Sequence, residues 1–168
     1  MLLQIFMKIA RNSVKLILSI LLCLGIGVLS ISTINTNNLS WYQTLDSPFT
    51  LPIGLVIAIV IFVYLLMGLA FYIIISQPRK YRKDPEKKKS ALLFFSLQLI
   101  LCLFWQYFFF GLQSPIAGLM EIFVLLGFAS ITIIKFYQLH EKAAYLLMPY
   151  LLWLCFATLL NFWIVILN

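Results

Sequence analysis

The sequence predicts an all-α integral membrane protein, a bundle of five transmembrane helices with a cytoplasmic N-terminus and the C-terminus on the opposite side. Three observations carry this. The 168 residues are 64% apolar and only 10% charged, a balance typical of membrane chains rather than water-soluble ones. The apolar residues fall into five runs, each close to the roughly 20 residues that a helix needs to cross the hydrocarbon. The twelve Lys and Arg residues all lie at or beyond the ends of these runs. Three belong to the start of the first span (Lys8, Arg11, Lys15). Seven separate the second from the third (Arg79, Lys80, Arg82, Lys83, Lys87, Lys88, Lys89), and two flank the joint between the fourth and fifth (Lys135, Lys142). Basic residues beside spans stay in the cytoplasm. Five spans put every one of them on that side, whereas four or six would strain the rule.

The first span is expected over residues 14–34. Its basic start, apolar core and small residues near Ser30 and Ser32 imitate a signal peptide. The apolar stretch is long for a signal core, so a retained helix is expected. Residues 35–52 form the longest loop without basic residues and contain Trp41, Tyr42, Asp46, Pro48 and Pro52. Its sequon, Asn38-Leu39-Ser40, lies too close to the membrane to carry weight. The second span covers 53–76. A basic loop follows over 77–90, where Pro78 and Pro85 oppose helix continuation. The third span covers 91–111. After the tight turn 112–115, Pro115 suits the first turn of a fourth span over 116–137. The fifth covers 143–167, with Pro149 in its early turns. These segments use nearly the whole of 1–168, which reads as a single membrane domain without an internal repeat.

The composition also sets aside some functions. The net charge of +7 is the topology signal, so nucleic acid is not an expected partner; membrane lipid is, because the basic loop can rest on anionic headgroups. Cys23, Cys102 and Cys155 lie in apolar runs, form no CxxC pair and read as buried, inert thiols. The lone His140 sits beside Glu141 and Lys142 in a short loop, where a solvated side chain is a better reading than a haem ligand. No metal ligand set and no activated nucleophile is visible.

Polar groups inside the bilayer are costly and mark packing or function. Glu121 is the one carboxylate within a span. At a rise of about 1.5 Å per residue, Glu121, Asn161 and Trp105 each lie roughly 8–10 Å below the outer ends of their spans. Three groups on three helices thus share a level and can converge, roofed by the loop from Trp41 to Pro52. Gln98, Cys102, Trp105 and Phe109 form one stripe of the third span; Trp153, Ala157 and Asn161 form one face of the fifth, with Leu160 beside them. Such residues equally suit plain helix packing. Glu121 is expected to find a donor, such as Asn161 or an indole.

Several segments resemble the TspO/MBR family of translocator and tryptophan-rich sensory proteins. The fifth span carries Pro149-Tyr150-Leu151-Leu152-Trp153, followed by Ala157 and Leu160-Asn161. The third carries Gln98-Leu99, Trp105 and Phe109-Phe110-Gly111. Trp41-Tyr42-x-x-Leu45-x-x-Pro48 resembles the family's first loop, Tyr64-Leu65-Leu66-Met67-Gly68 its second helix, and Glu121 its acidic position on the fourth. The resemblance implies a five-helix bundle, a homodimer, and an interior pocket for porphyrins and other tetrapyrroles, haem among them, with no cofactor required. It implies a ligand site of Trp41, Trp105, Phe110, Glu121, Trp153, Ala157, Leu160 and Asn161, and no catalytic residue. The expected role is that of a sensor, carrier or sequestering protein. The alternatives are a light-dependent porphyrin-degrading enzyme and a ligand-free structural protein. The chain departs from the family where Val60 stands at a common Trp position, Cys102 and Tyr107 at frequent Asn and Pro positions, and Ala117 at a Trp of drug-binding animal members; the lost tryptophans weigh against the enzyme. The tail after Asn161 also lacks the Tyr and basic residue of the weak sterol-recognition pattern.

Overall fold

The computed structural model describes residues 2–32, 35–47, 52–76 and 85–168. Pro48, Pro78, Arg79, Lys80, Arg82 and Lys83 therefore lie outside the described residues. Those described are helical, without strands: α1 (Leu2–Ser32), α2 (Thr36–Gln43), α3 (Ile53–Ser76), α4 (Pro85–Gln106), a π-helical turn (Tyr107–Gly111), α5 (Pro115–Leu139) and α6 (Glu141–Leu167). Five of these helices are long and apolar enough to cross a membrane.

The spans fall where the sequence puts them, but the helices overrun the spans. α1 begins at Leu2 rather than near residue 14. Residues 2–13 contain no Pro or Gly, so nothing in them stops a helix; hydropathy marks the membrane boundary, not the helix end. α4 begins at Pro85 rather than 91. Pro85 does not block this helix but starts it, because a first-turn residue needs no intrahelical N–H partner. Glu86 follows in the first turn, where a carboxylate favours the helix dipole. α3 coincides with the expected 53–76. α5 gains an N-cap from Ser114, whose hydroxyl accepts from the Ala117 N–H at 3.3 Å, and Pro115 opens its first turn. Only His140 separates α5 from α6, and Pro149 lies inside α6.

α2 is an element that periodicity does not reveal. It has eight residues, too few for an amphipathic pattern. Its local signal is Asn35, an N-cap whose Oδ1 accepts from the Asn38 N–H at 2.9 Å. Asn38 itself is buried, which makes the sequon a poor glycan acceptor.

The long helices close into a ring. α1 packs against α3 and α4, α3 against α6, α6 against α5, and α5 against α4. The ring is drawn tight by small residues. A Cβ on Gly68 of α3 would lie 2.8 Å from the Ile20 Cα and 3.1 Å from the Ser19 carbonyl of α1. Gly27 of α1 would meet the Tyr64 ring at 2.9 Å. Such approaches replace the hydrophobic drive that is missing between helices in lipid. Large side chains fill the centre toward the basic end, where Phe95 stacks between Phe71 (5.1 Å) and Phe136 (5.5 Å). Lys88 Nζ donates to the Ile75 carbonyl near the end of α3 at 3.3 Å, a cation at a helix C-terminus. Cys23 and Cys102 are buried, but Cys155 faces outward, contrary to the expectation of three buried thiols.

The Gly68 contact is with backbone, which cannot swing aside. Gly68→Ala is therefore expected to lower stability by about 1–3 kcal/mol. Gly127→Ala, whose Cβ would meet nothing within 4 Å, should be neutral or slightly stabilising through helix propensity. Thermal unfolding of both variants in one detergent checks the pair.

Candidate functional site

The end of the ring opposite the basic loop is closed by aromatic rings. α4 passes into its π turn without a break, and the Leu112 N–H donates to the Tyr107 carbonyl, five residues back, at 2.9 Å. A π turn widens the helix, and such turns recur at functional sites. Here it turns two consecutive residues toward one indole. Phe109 stacks on Trp105 at 5.2 Å and 15°, and Phe110 meets the same ring edge-on at 6.2 Å. α2 lies against this turn: Trp41 touches Phe109 at 5.7 Å, and Tyr42 touches Phe109 at 6.1 Å and Phe110 at 5.7 Å. The offset and edge geometries are those that aromatic pairs prefer. Burial raises the Tyr42 phenol above its ordinary value, so it stays neutral at physiological pH.

The loop after α2 is fastened to the end of α6. The Asn168 Oδ1 accepts from the Asp46 N–H at 3.0 Å, and its Nδ2 donates to the Asp46 carbonyl at 3.0 Å and to Ile164 at 2.9 Å. One amide thus holds both backbone groups of one loop residue. α2, the π turn and Asn168 together form a lid.

Beneath the lid the interior is more polar than an ordinary membrane core. The Cys102 Sγ of α4 lies 3.4 Å from the Tyr150 hydroxyl of α6, although those helices are not neighbours in the ring. The Tyr64 hydroxyl of α3 faces Cys102 as well. Glu121 of α5 is close enough for its charge to act on Cys102 and Tyr150. Gln98, a turn deeper on α4 than Cys102, is fully buried. Both amide atoms of Gln98, both carboxyl oxygens of Glu121 and the indole nitrogen of Trp105 are buried without a hydrogen-bond partner among the described residues. Buried polar atoms are normally paired, and each exception calls for a physical cause.

The expected site residues fall into three sets. Trp41, Trp105 and Phe110 come together in the roof, with Phe109 as hub. Trp153, Ala157 and Leu160 are half-buried on α6; Trp153 stacks on Phe156 at 5.8 Å, and both Trp153 and Ala157 pack against the core. Glu121 and Asn161 are buried but do not pair. In the amide orientation that satisfies both of its ends, Asn161 donates to the Pro115 carbonyl and accepts from the Leu119 N–H, each at 3.1 Å. These are backbone groups at the start of α5. The expected donors to Glu121, Asn161 and an indole, are therefore not its partners: Asn161 is held by that helix, and the Trp105 nitrogen has no partner among the described residues. His140 links α5 to α6, at the other end of α5 from the lid.

The expected set leaves out Tyr42, Phe109, Gly118, Tyr64 and Tyr150. Phe109 was visible as part of the α4 stripe. Tyr42, Tyr64 and Tyr150 stand in the motifs that carry the resemblance but are given no role in the site, and Gly118 shows its role only in space. A Cβ there would lie 3.0 Å from the Phe109 ring and 3.2 Å from the Asn161 amide.

A ring of five membrane-crossing helices around a lidded, aromatic and partly polar interior defines a multi-pass helical membrane protein. The model of the TspO/MBR family matches residues 19–167. The chain is 37% identical to the tryptophan-rich protein TspO of Archaeoglobus fulgidus, over 94% of this chain and 99% of that one. It is 35% identical to the protein of the same name in Chlorobaculum tepidum, over 94% and 98%. It is 32% identical to the human translocator protein, over 77% and 75%. The chain belongs to the TspO/MBR family.

Asn168→Ala removes both side-chain bonds to Asp46 while leaving the ring untouched. Amide hydrogen exchange at Asp46 should accelerate roughly fivefold, as the loss of about one net hydrogen bond implies. Exchange in α3 and α5 should not change. Hydrogen–deuterium exchange mass spectrometry resolves these segments.

Proposed function

We propose that this chain binds a flat, largely apolar ligand of the tetrapyrrole class inside the ring, beneath the α2 lid, and acts as its sensor, carrier or sequestering protein. The observation that carries the reading is the combination at one end of the bundle. Aromatic rings of Trp41, Tyr42, Trp105, Phe109 and Phe110 cluster above buried polar atoms of Trp105 and Glu121 that have no partner among the described residues. A macrocycle with an apolar face and a few polar edges complements both features.

The chemistry expected of the chamber is recognition. Affinity would come from apolar burial at roughly 25 cal/mol per Å², less the cost of ordering the ligand and lid. The Trp105 N–H can donate, and Glu121 can accept or, when protonated, donate; either fixes orientation. Trp153 and Ala157 would line the α6 side, where the small Ala157 leaves room beside the indole. The names of two relatives, a tryptophan-rich sensory protein and a translocator protein, fit recognition better than turnover.

The test is quenching of tryptophan fluorescence by protoporphyrin titrated in the dark into the detergent-purified protein. Saturable quenching in the micromolar range is expected. Trp105→Ala should weaken it about tenfold by removing a stacking face. Ala157→Phe should do the same by filling space. Both variants should keep the helical content of the parent. Unchanged affinity in both would place the ligand outside this chamber; absence of saturable quenching in the parent would refute the tetrapyrrole reading.

A further inference from the structure

We infer that the basic end of the bundle holds one anionic glycerophospholipid in a groove along the first turns of α4. The groove has a volume of about 390 Å³ and is lined by Glu86, Lys89, Ser90, Leu92, Leu93 and Ser96. Its residues are graded along the helix axis. Lys89 and Ser90 lie toward the aqueous end, the two leucines follow, and Ser96 lies about 10 Å from Lys89 along the helix. An ammonium and a hydroxyl suit a phosphodiester, and leucines suit the first carbons of an acyl chain. The grading matches a molecule that is charged at one end and apolar at the other.

Two further observations favour a lipid. Ser96 is exposed on the outer face of a membrane span, beside Leu93, itself 56% exposed. A hydroxyl facing hydrocarbon lacks water to bond, and the ester carbonyl of a glycerophospholipid supplies an acceptor near that depth. The charge balance is also right. Seven basic residues lie between 79 and 89, against Asp84 and Glu86, and polybasic segments beside a span are drawn to anionic headgroups. Lys88 is committed to the Ile75 carbonyl, which leaves Lys89 as the lysine that lines the groove. Glu86, at the rim, already interacts with a neighbouring group of the protein. A free anion would use the Lys89–Ser90 end alone and leave the apolar half of the groove unused.

This site does not depend on the chamber reading. Ser96 is nine residues from Trp105, about 13 Å along the helix, and the groove opens outward rather than into the ring.

The test is native mass spectrometry of the full chain released from detergent after incubation with dioleoylphosphatidylglycerol, dioleoylphosphatidylcholine or inorganic phosphate. A one-to-one phosphatidylglycerol adduct is expected, held about tenfold more tightly than phosphatidylcholine. Lys89→Glu should weaken it about tenfold. Ser96→Phe, which fills the groove while keeping every charge, should weaken it comparably. Lys142→Glu, at the same end but away from the groove, should leave it unchanged. Equal retention of both lipids would overturn headgroup recognition. Full displacement by inorganic phosphate would make the site one for a free anion. Equal losses in Lys89→Glu and Lys142→Glu, with Ser96→Phe unaffected, would reduce the effect to diffuse attraction.

Discussion

Closing five helices into a ring leaves a central space that no backbone can fill, in a medium where no water is available to satisfy what lies there. Side chains must span the gap, and their polar atoms must find partners inside or remain costly. The structure meets this differently at its two ends. Toward the basic end, the gap is filled by stacked Phe71, Phe95 and Phe136, which make no polar demand. Toward the lid, α4 and α6 reach each other through Cys102 and Tyr150, with Tyr64, Gln98 and Glu121 around them. The same ring is therefore an apolar packed core in one half and a polar, aromatic interior in the other.

Most of the fold is legible in the sequence because the bilayer imposes its rules on composition directly. Hydropathy and the distribution of twelve basic residues identify five spans, and their small residues anticipate close helix contact. What is not legible lies where those rules stop applying. The early starts of α1 and α4 lie in water, where a helix persists without a hydropathy signal, so Pro85 reads as a breaker until its position at a helix start is seen. α2 is short and polar, and only Asn35 betrays it. The π turn leaves the spacing of Phe109 and Phe110 unchanged in the sequence while changing where they point.

The candidate site divides in the same way. Helical spacing assigns Gln98, Cys102 and Phe109 to the buried face of α4 correctly, because a face is a property of one helix. A pairing such as Glu121 with Asn161 is a property of two, and equal depth does not establish it. Asn161 instead meets the backbone at the start of α5, where one amide finds both an acceptor and a donor at 3.1 Å. A carboxyl group at the same depth on another helix offers no such matched pair. Asn161, expected in the ligand site, makes its side-chain bonds to the start of α5 and so has a positioning role.

That positioning role bears on the chamber. Asn161 holds the first turn of α5, and the first turn of α5 contains Gly118. The absence of a side chain at Gly118 lets Phe109 lie against α5, and Phe109 carries Trp41 and Tyr42 of the lid. The lid is therefore seated through a chain of contacts that begins with one buried amide, while its free edge is held by Asn168 through solvent-exposed bonds. Exposed hydrogen bonds and edge-on ring contacts each contribute little. Helix–helix contacts as close as Gly68 against Ile20 are lost only if the ring itself opens. The contacts that seat the lid are therefore individually weaker than those that close the ring, and the two parts of the structure are held by separate sets of interactions.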